Sequence, residues 1–188
     1  PVYHLEKSTD TRRLACLTGA WEDSDPKAIY EWFKNVAGGD DREQLRRLIR
    51  YLKGWAAVAF VESAAARPSS ILLTVLAAES FEKHLLSRAV GLDDEDALIS
   101  IIQDLHERLF GDRVVPNPID DSEDLNRIPD EYWNVFLTNL QALRNAAENA
   151  EAEQDEAAAA LAWSEFFSFL MPLPPAQEVE VVEEDSGR

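Results

Sequence analysis

The sequence predicts a mostly α fold: one lobe of five to six helices, preceded by short strand remnants of a sheet that lies upstream. Three observations predict it. Glycine is scarce, with seven in 188 residues, while Ala, Leu and Glu are abundant, a composition that favours helix. Between Pro26 and Leu170 apolar residues recur at helical spacing, punctuated by Gly, Pro and Ser or Asp at capping positions. Before about Trp21 the pattern is only a weak alternation.

The elements follow in order. Pro1 to Leu5 and Arg13 to Thr18 read as short extended pieces, with Lys7 to Thr11 as the turn between them. Ser24 or Asp25 caps a first helix, with Pro26 in its first turn. Gly38-Gly39-Asp40 ends it. Asp40 or Asp41 starts a long second helix to about Ala65, with Leu45, Leu48, Ile49, Leu52, Ala56 and Ala59 on one face. Pro68 breaks the chain, and Ser69 or Ser70 caps a third helix to Ser87. That helix is apolar almost all round, as a central buried helix is. After the turn Gly91 to Asp94 a fourth helix reaches Phe110, closed by Gly111. Val114 to Pro129 reads as a proline-punctuated loop. A fifth helix runs from Asp130 through Asn149. The Ala-rich stretch 146–162 continues it or bends into a sixth helix ending near Met171, where Pro172, Pro174 and Pro175 stop it. This divides the chain into 1–22 (the end of a sheet), 23–173 (the helical lobe) and 174–188 (an acidic mobile tail).

The charge balance bounds the partners. Thirty-six acids against 18 bases give a formal net charge of −18, which disfavours a coat of long nucleic acid. A hydrophobic fraction of 46% with five tryptophans argues for a packed globule. The single cysteine, Cys16, forms no internal disulfide, which fits a reducing, cytoplasmic setting. No apolar run approaches the length of a membrane span. Any polyanion site is therefore local, and the position of the basic residues matters more than their number.

Two neighbouring segments stand out. Arg42, Arg46, Arg50 and Lys53 lie three or four residues apart on one face of the second helix. Pro68-Ser69-Ser70 offers hydroxyls and free N–H groups at the start of the third, the positive end of a helix dipole. Taken singly, the stripe also reads as a solvated face and the serines as plain caps. The Asn117-Pro118-Ile119-Asp120-Asp121 loop lacks the spacing and the glycine of a calcium loop. His4, His84 and His106 are scattered, with no partner at metal spacing. No Gly-rich phosphate loop, nucleophile elbow or carboxylate pair appears.

An ordered set of segments resembles one family. These are Pro1-Val2-Tyr3, Trp21-Glu22-Asp23-Ser24-Asp25-Pro26, Leu45 to Trp55, Pro68 to Thr74, Asn117 to Asn126 and Trp163-Ser164-Glu165-Phe166-Phe167. The order is similar to the downstream half of bacterial cyclic-oligonucleotide synthases, the cGAS/DncV-like nucleotidyltransferases (CD-NTases), related to the oligoadenylate synthetases. The resemblance implies a soluble cytoplasmic nucleotidyltransferase of anti-phage (CBASS) signalling. It would join ATP and other nucleoside triphosphates into a cyclic di- or oligonucleotide that reaches a downstream effector. It implies that the catalytic acids and their Mg²⁺ ions belong to a lobe upstream of Pro1, so that this chain carries no catalytic or metal residue and does not turn over alone. By match to the Leu-Lys-x-Trp helix, Lys53 holds the donor triphosphate. By match to the Ser-Ser helix start, Ser69 or Ser70 binds the same phosphates. By match to the Trp-x-x-Ser-Asp-Pro segment, Ser24 and Asp25 reach toward a nucleobase. The alternative is a non-catalytic acidic helical module that docks a basic partner, and the ordered motifs fit it poorly.

Overall fold

The computed structural model describes residues 13–15, 21–23, 26–87, 93–153 and 156–167. Among them are six α-helices: α1 (Pro26–Val36), α2 (Gly39–Ala59), α3 (Ser70–Ser87), α4 (Asp94–Gly111), α5 (Asp130–Ala152) and α6 (Glu156–Phe167). Two small antiparallel strand pairs accompany them. β1 (Arg13–Ala15) pairs with β2 (Trp21–Asp23), with Leu14 opposite Glu22, and β3 (Pro116–Asn117) pairs with β4 (Asp120–Asp124). The mostly α lobe with strand remnants is therefore what the chain builds.

α3 packs against α1, α2 and α4. Leu72, Leu73, Val75, Leu76, Ala77, Ala78 and Phe81 of this helix are all buried. The same core takes in Leu45, Leu48, Leu52 and Trp55 of α2, Leu98, Ile101, Ile102 and Leu105 of α4, Phe136, Leu140 and Leu143 of α5, and Trp163 and Phe167 of α6. A run of aromatic rings joins the end of α2 to the start of α5. Trp55 meets Phe60 edge-on at 5.5 Å, Phe60 stacks on Phe136 at 6.1 Å, and Phe136 stacks on Trp133 at 5.0 Å.

Polar clips fix the helices to one another. Arg47 of α2 donates twice to Asp94 at the start of α4, at 2.6 and 2.8 Å, and Gln44 Nε2 donates to the same carboxylate at 3.2 Å. Asp104 of α4 accepts from Ser80 Oγ at 2.7 Å and Lys83 Nζ at 2.8 Å, both on α3, and faces His84 Nε2 at 3.0 Å. His106 Nδ1 accepts from Arg144 of α5 at 3.0 Å, so its Nε2 carries the proton and donates to Gln141 Oε1 at 2.7 Å. Trp163 Nε1 of α6 donates to Glu95 Oε1 at 3.0 Å.

Three sequence expectations need correction. The long second helix stops at Ala59 instead of Ala65, because Phe60 turns inward to pack between Trp55 and Phe136. Only a single 3₁₀ turn, Ala64–Ala66, follows before Pro68. Strand is not confined to the region before Trp21: β2 begins there, and the loop expected over 114–129 contains the β3–β4 hairpin. The expected strand at residues 1–5, the turn at 7–11 and the acidic tail lie outside the described residues.

Candidate functional site

The arginines of α2 divide by what their side chains already hold. Arg42 turns back onto α1: its Nε donates to the Ala37 carbonyl at 2.9 Å and its Nη2 to the Lys34 carbonyl at 3.1 Å. Those are carbonyls at the end of a helix, which lack partners within it. Arg42 is thus a cap for α1, where the sequence reading placed it in the stripe. Arg46 is paired with Glu43 one turn back at 2.6 Å, and Arg47 is committed to Asp94. The side chains of Arg50 and Lys53 have no hydrogen-bonding or ionic partner among the described residues.

Those two side chains line one groove of about 400 Å³, together with Phe33 of α1, Glu43, Arg46 and Ile49 of α2 and Thr74 of α3. The periodicity of α2 explains the arrangement. Residues 46, 49, 50 and 53 recur at helical spacing on one side, beside the buried face that carries Leu45, Leu48 and Leu52. Lys53 sits at the edge of that core and is half-buried, and burial holds its ammonium below the ordinary lysine value. A desolvated cation with no counter-ion is unfavourable by itself, and an anion entering the groove relieves it.

α3 reaches the groove one turn after its start, at Thr74. Ser69 is the cap: its Oγ accepts from the Leu72 N–H at 3.2 Å, which leaves the hydroxyl proton available to a second acceptor. Ser70, exposed, begins the helix, and Thr74 one turn on donates its hydroxyl to the Ser70 carbonyl at 2.7 Å. The groove therefore reaches α3 at Thr74, on the face that Ser70 starts. Ser69 and Ser70 are not among its lining residues; Thr74 is the hydroxyl that meets the Lys53 side. Sequence reasoning noticed Arg46 and Arg50 as part of the stripe but missed Thr74 and Phe33. Thr74 was legible as the residue four positions after Ser70. Phe33 was not, since nothing in the sequence says which face of α1 meets α2.

The remaining candidates fall elsewhere. Ser24 and Asp25 lie outside the described residues. Among the described residues no group of three or more His, Cys, Asp or Glu is arranged to hold a metal ion. Two acids of the 117–124 hairpin serve the backbone, and Glu123 pairs with Arg127. Asp120 Oδ1 accepts from Ser122 N at 3.1 Å, and Asp124 Oδ1 accepts from Val115 N at 3.0 Å and Asn126 N at 2.9 Å. Among the described residues no helix is long and apolar enough to cross a membrane.

Comparison with known proteins agrees with this architecture. No protein-family model matches the chain. A cyclic GMP-AMP synthase of Escherichia albertii is 30% identical over 123 residues, which are 65% of this chain and 26% of that protein. The chain superposes on the Vibrio cholerae DncV cyclic AMP-GMP synthase, solved with a linear intermediate, with a TM-score of 0.65 at 21% identity, over 89% of this chain and 43% of that one. It superposes on CdnC of Escherichia coli MS115-1, solved with ATP, with a TM-score of 0.65 at 13% identity, over 89% of this chain and 58% of that one. The chain spans about a quarter of the length of the curated relative and less than half of DncV. Fold and sequence together give it the bacterial CD-NTase-like fold, in the part that lies C-terminal in those proteins.

Proposed function

We propose that this chain is the helical wall of the nucleotide cleft of a nucleotidyltransferase that condenses nucleoside triphosphates, ATP among them, into a cyclic di- or oligonucleotide. The observation that carries the reading is Lys53, half-buried and without a counter-ion, in a groove against α3. In this reading Lys53 holds the triphosphate, and the Ser69–Ser70 start of α3 supports the same phosphates through a hydroxyl and N–H groups. The family match would bring Ser24 and Asp25 toward the base. Held so, the α-phosphorus faces a ribose hydroxyl in line; the oxygen bonds to phosphorus, the bond to the β-phosphate breaks, and pyrophosphate and a proton leave.

The family resemblance implies Mg²⁺, and among the described residues no group of three or more His, Cys, Asp or Glu is arranged to hold a metal ion. In this reading the metal-binding acids belong to the other lobe of the nucleotidyltransferase. The product, released in the cytoplasm, would act on an effector in anti-phage defence.

The test uses the full-length polypeptide, incubated with all four labelled nucleoside triphosphates and Mg²⁺, with product mass analysis. A cyclic nucleotide product is expected. Lys53→Ala should lower kcat/KM by about one to two decades, from a charge-assisted contact of roughly 1.5–3 kcal/mol. Ser69→Ala combined with Ser70→Ala should have a smaller effect, because the N–H groups remain. Absence of any nucleotide product from a folded full-length protein, or wild-type kinetics for Lys53→Ala, would reject the reading.

A further inference from the structure

The cations of this chain are not distributed evenly with respect to their partners. Lys34, Arg46, Arg47, Lys83, Arg108, Arg113, Arg127 and Arg144 are all ion-paired or close to a carboxylate, and Arg42 holds main-chain carbonyls. Among the described side chains, Arg50, Lys53 and Arg67 have no such partner. In a chain of net charge −18 acids are abundant, so a cation left unpaired is one that the surrounding acids do not reach. Two of the three, Arg50 and Lys53, line the same groove. They are three residues apart on α2, a rise of about 4.5 Å along the axis.

Their settings differ in a useful way. Lys53 is half-buried, a compact ammonium at the core edge; Arg50 is exposed at the mouth of the groove. A guanidinium presents a planar fork of donors that grips two oxygens of one phosphate, and it tolerates exposure without losing its charge. Among the phosphates of a nucleoside triphosphate, the terminal one carries the most charge and three free oxygens.

We propose that Arg50 is a second phosphate-positioning residue, gripping the terminal phosphate of a triphosphate whose inner phosphates lie at Lys53. The proposal deepens the reading given above and rests on it. It assigns to Arg50 the discrimination between tri- and diphosphates: Lys53 contacts phosphates that both possess, and Arg50 contacts the one that only the triphosphate has.

The experiment measures the binding of ATP and GTP, and of ADP and GDP, to the full-length protein by calorimetry, and KM and kcat in parallel. Wild type is expected to prefer the triphosphates. Arg50→Ala should cut that preference about tenfold, raising KM more than it lowers kcat, and Arg50→Lys should recover part of it. Because the Arg50 side chain supports nothing else, the melting temperature of Arg50→Ala should match wild type. Arg127→Ala, which removes the same charge from a surface pair with Glu123, should leave the preference intact. An unchanged tri- over diphosphate preference in Arg50→Ala overturns the proposal, as does an equal loss in Arg127→Ala. Equal weakening of tri- and diphosphates overturns the assignment to the terminal phosphate. Failure of Lys53→Ala to weaken any nucleotide is a different result, and it removes the underlying reading instead.

Discussion

Arg42 and Lys53 lie on one helical stripe, and the fold gives their side chains different surroundings: Arg42 is bonded to carbonyls and Lys53 lines a groove. Arg42 ties α2 to the end of α1 through two carbonyls. Arg42→Ala should therefore lower stability by about 1–2 kcal/mol while leaving kcat/KM per folded molecule close to wild type. Urea melts and active-site-normalised kinetics separate the two effects. The spacing could not reveal this, because the partners at Lys34 and Ala37 come within reach only after the chain turns at Gly38 and Gly39, where Gly39 has a φ of 53° that side chains rarely adopt. The half-burial of Lys53 was partly legible, since a long cationic side chain at the border of an apolar face can lay its stem along that face, though Arg46 and Arg50 on the same border are exposed. The lowered pKa of Lys53 gives a signed prediction. Phosphate binding needs the ammonium, so affinity should fall as pH rises toward the lysine range, and earlier than for an ordinary lysine. Lys53→Arg should move that fall to higher pH, as read by nucleotide titrations across pH.

Among the elements, the helices were legible and the small departures were not. The start of α4 was readable as Asp93 followed by acids, and Asp93 Oδ1 does accept from Asp96 N at 2.9 Å. The end of α2 was not, because no Gly or Pro marks residue 60; the burial of one phenyl ring decides it. The β3–β4 hairpin was hidden for another reason. Asp120–Asp124 contains four acids and a serine, a poor strand by propensity, and side-chain-to-backbone bonds make it extended nonetheless. The α3–α4 clip supplies a prediction at this scale. Burial pushes Asp104 upward, but hydrogen bonds from Lys83 and Ser80 and the charges of Lys83 and His84 outweigh it and hold the carboxyl below its usual value. A depressed carboxylate stabilises the fold above its unfolded pKa, and that contribution is lost as pH falls through the folded one. Asp104→Asn should cost about 1–3 kcal/mol at neutral pH, partly because Ser80, only 6% exposed, loses a charged acceptor. The difference from wild type should shrink in acid, measured by chemical denaturation across pH.

Across the whole molecule, the lobe closes late in the chain. Tyr51 of α2 meets Phe167 of α6 edge-on at 5.8 Å, and Trp163 stands tilted against the same ring at 5.4 Å. Phe167 is fully buried and Trp163 is anchored to Glu95 of α4. Residues far apart in the chain thus share one core, and α6 covers the flank of α2 that carries Tyr51. Trp163→Ala should remove roughly 3–5 kcal/mol, a large part of the 5–15 kcal/mol typical of a domain. The melt should remain a single transition at lower denaturant, since the helices share one core. Two separate transitions would show that α6 is an appendage.

The division of labour along α2 has a consequence for how the protein tolerates change. Arg42 and Arg47 are tied by hydrogen bonds to neighbouring helices and their ends, and Arg50 and Lys53 make no such bond among the described residues. A library of variants sorted by cellular abundance should be nearly blind at positions 50 and 53 and sensitive at 42 and 47. The same library sorted by product formation should show the reverse emphasis, with 50 and 53 intolerant. Four basic side chains within twelve residues of one helix would then separate into two classes by their mutational profiles, without a ligand ever being seen.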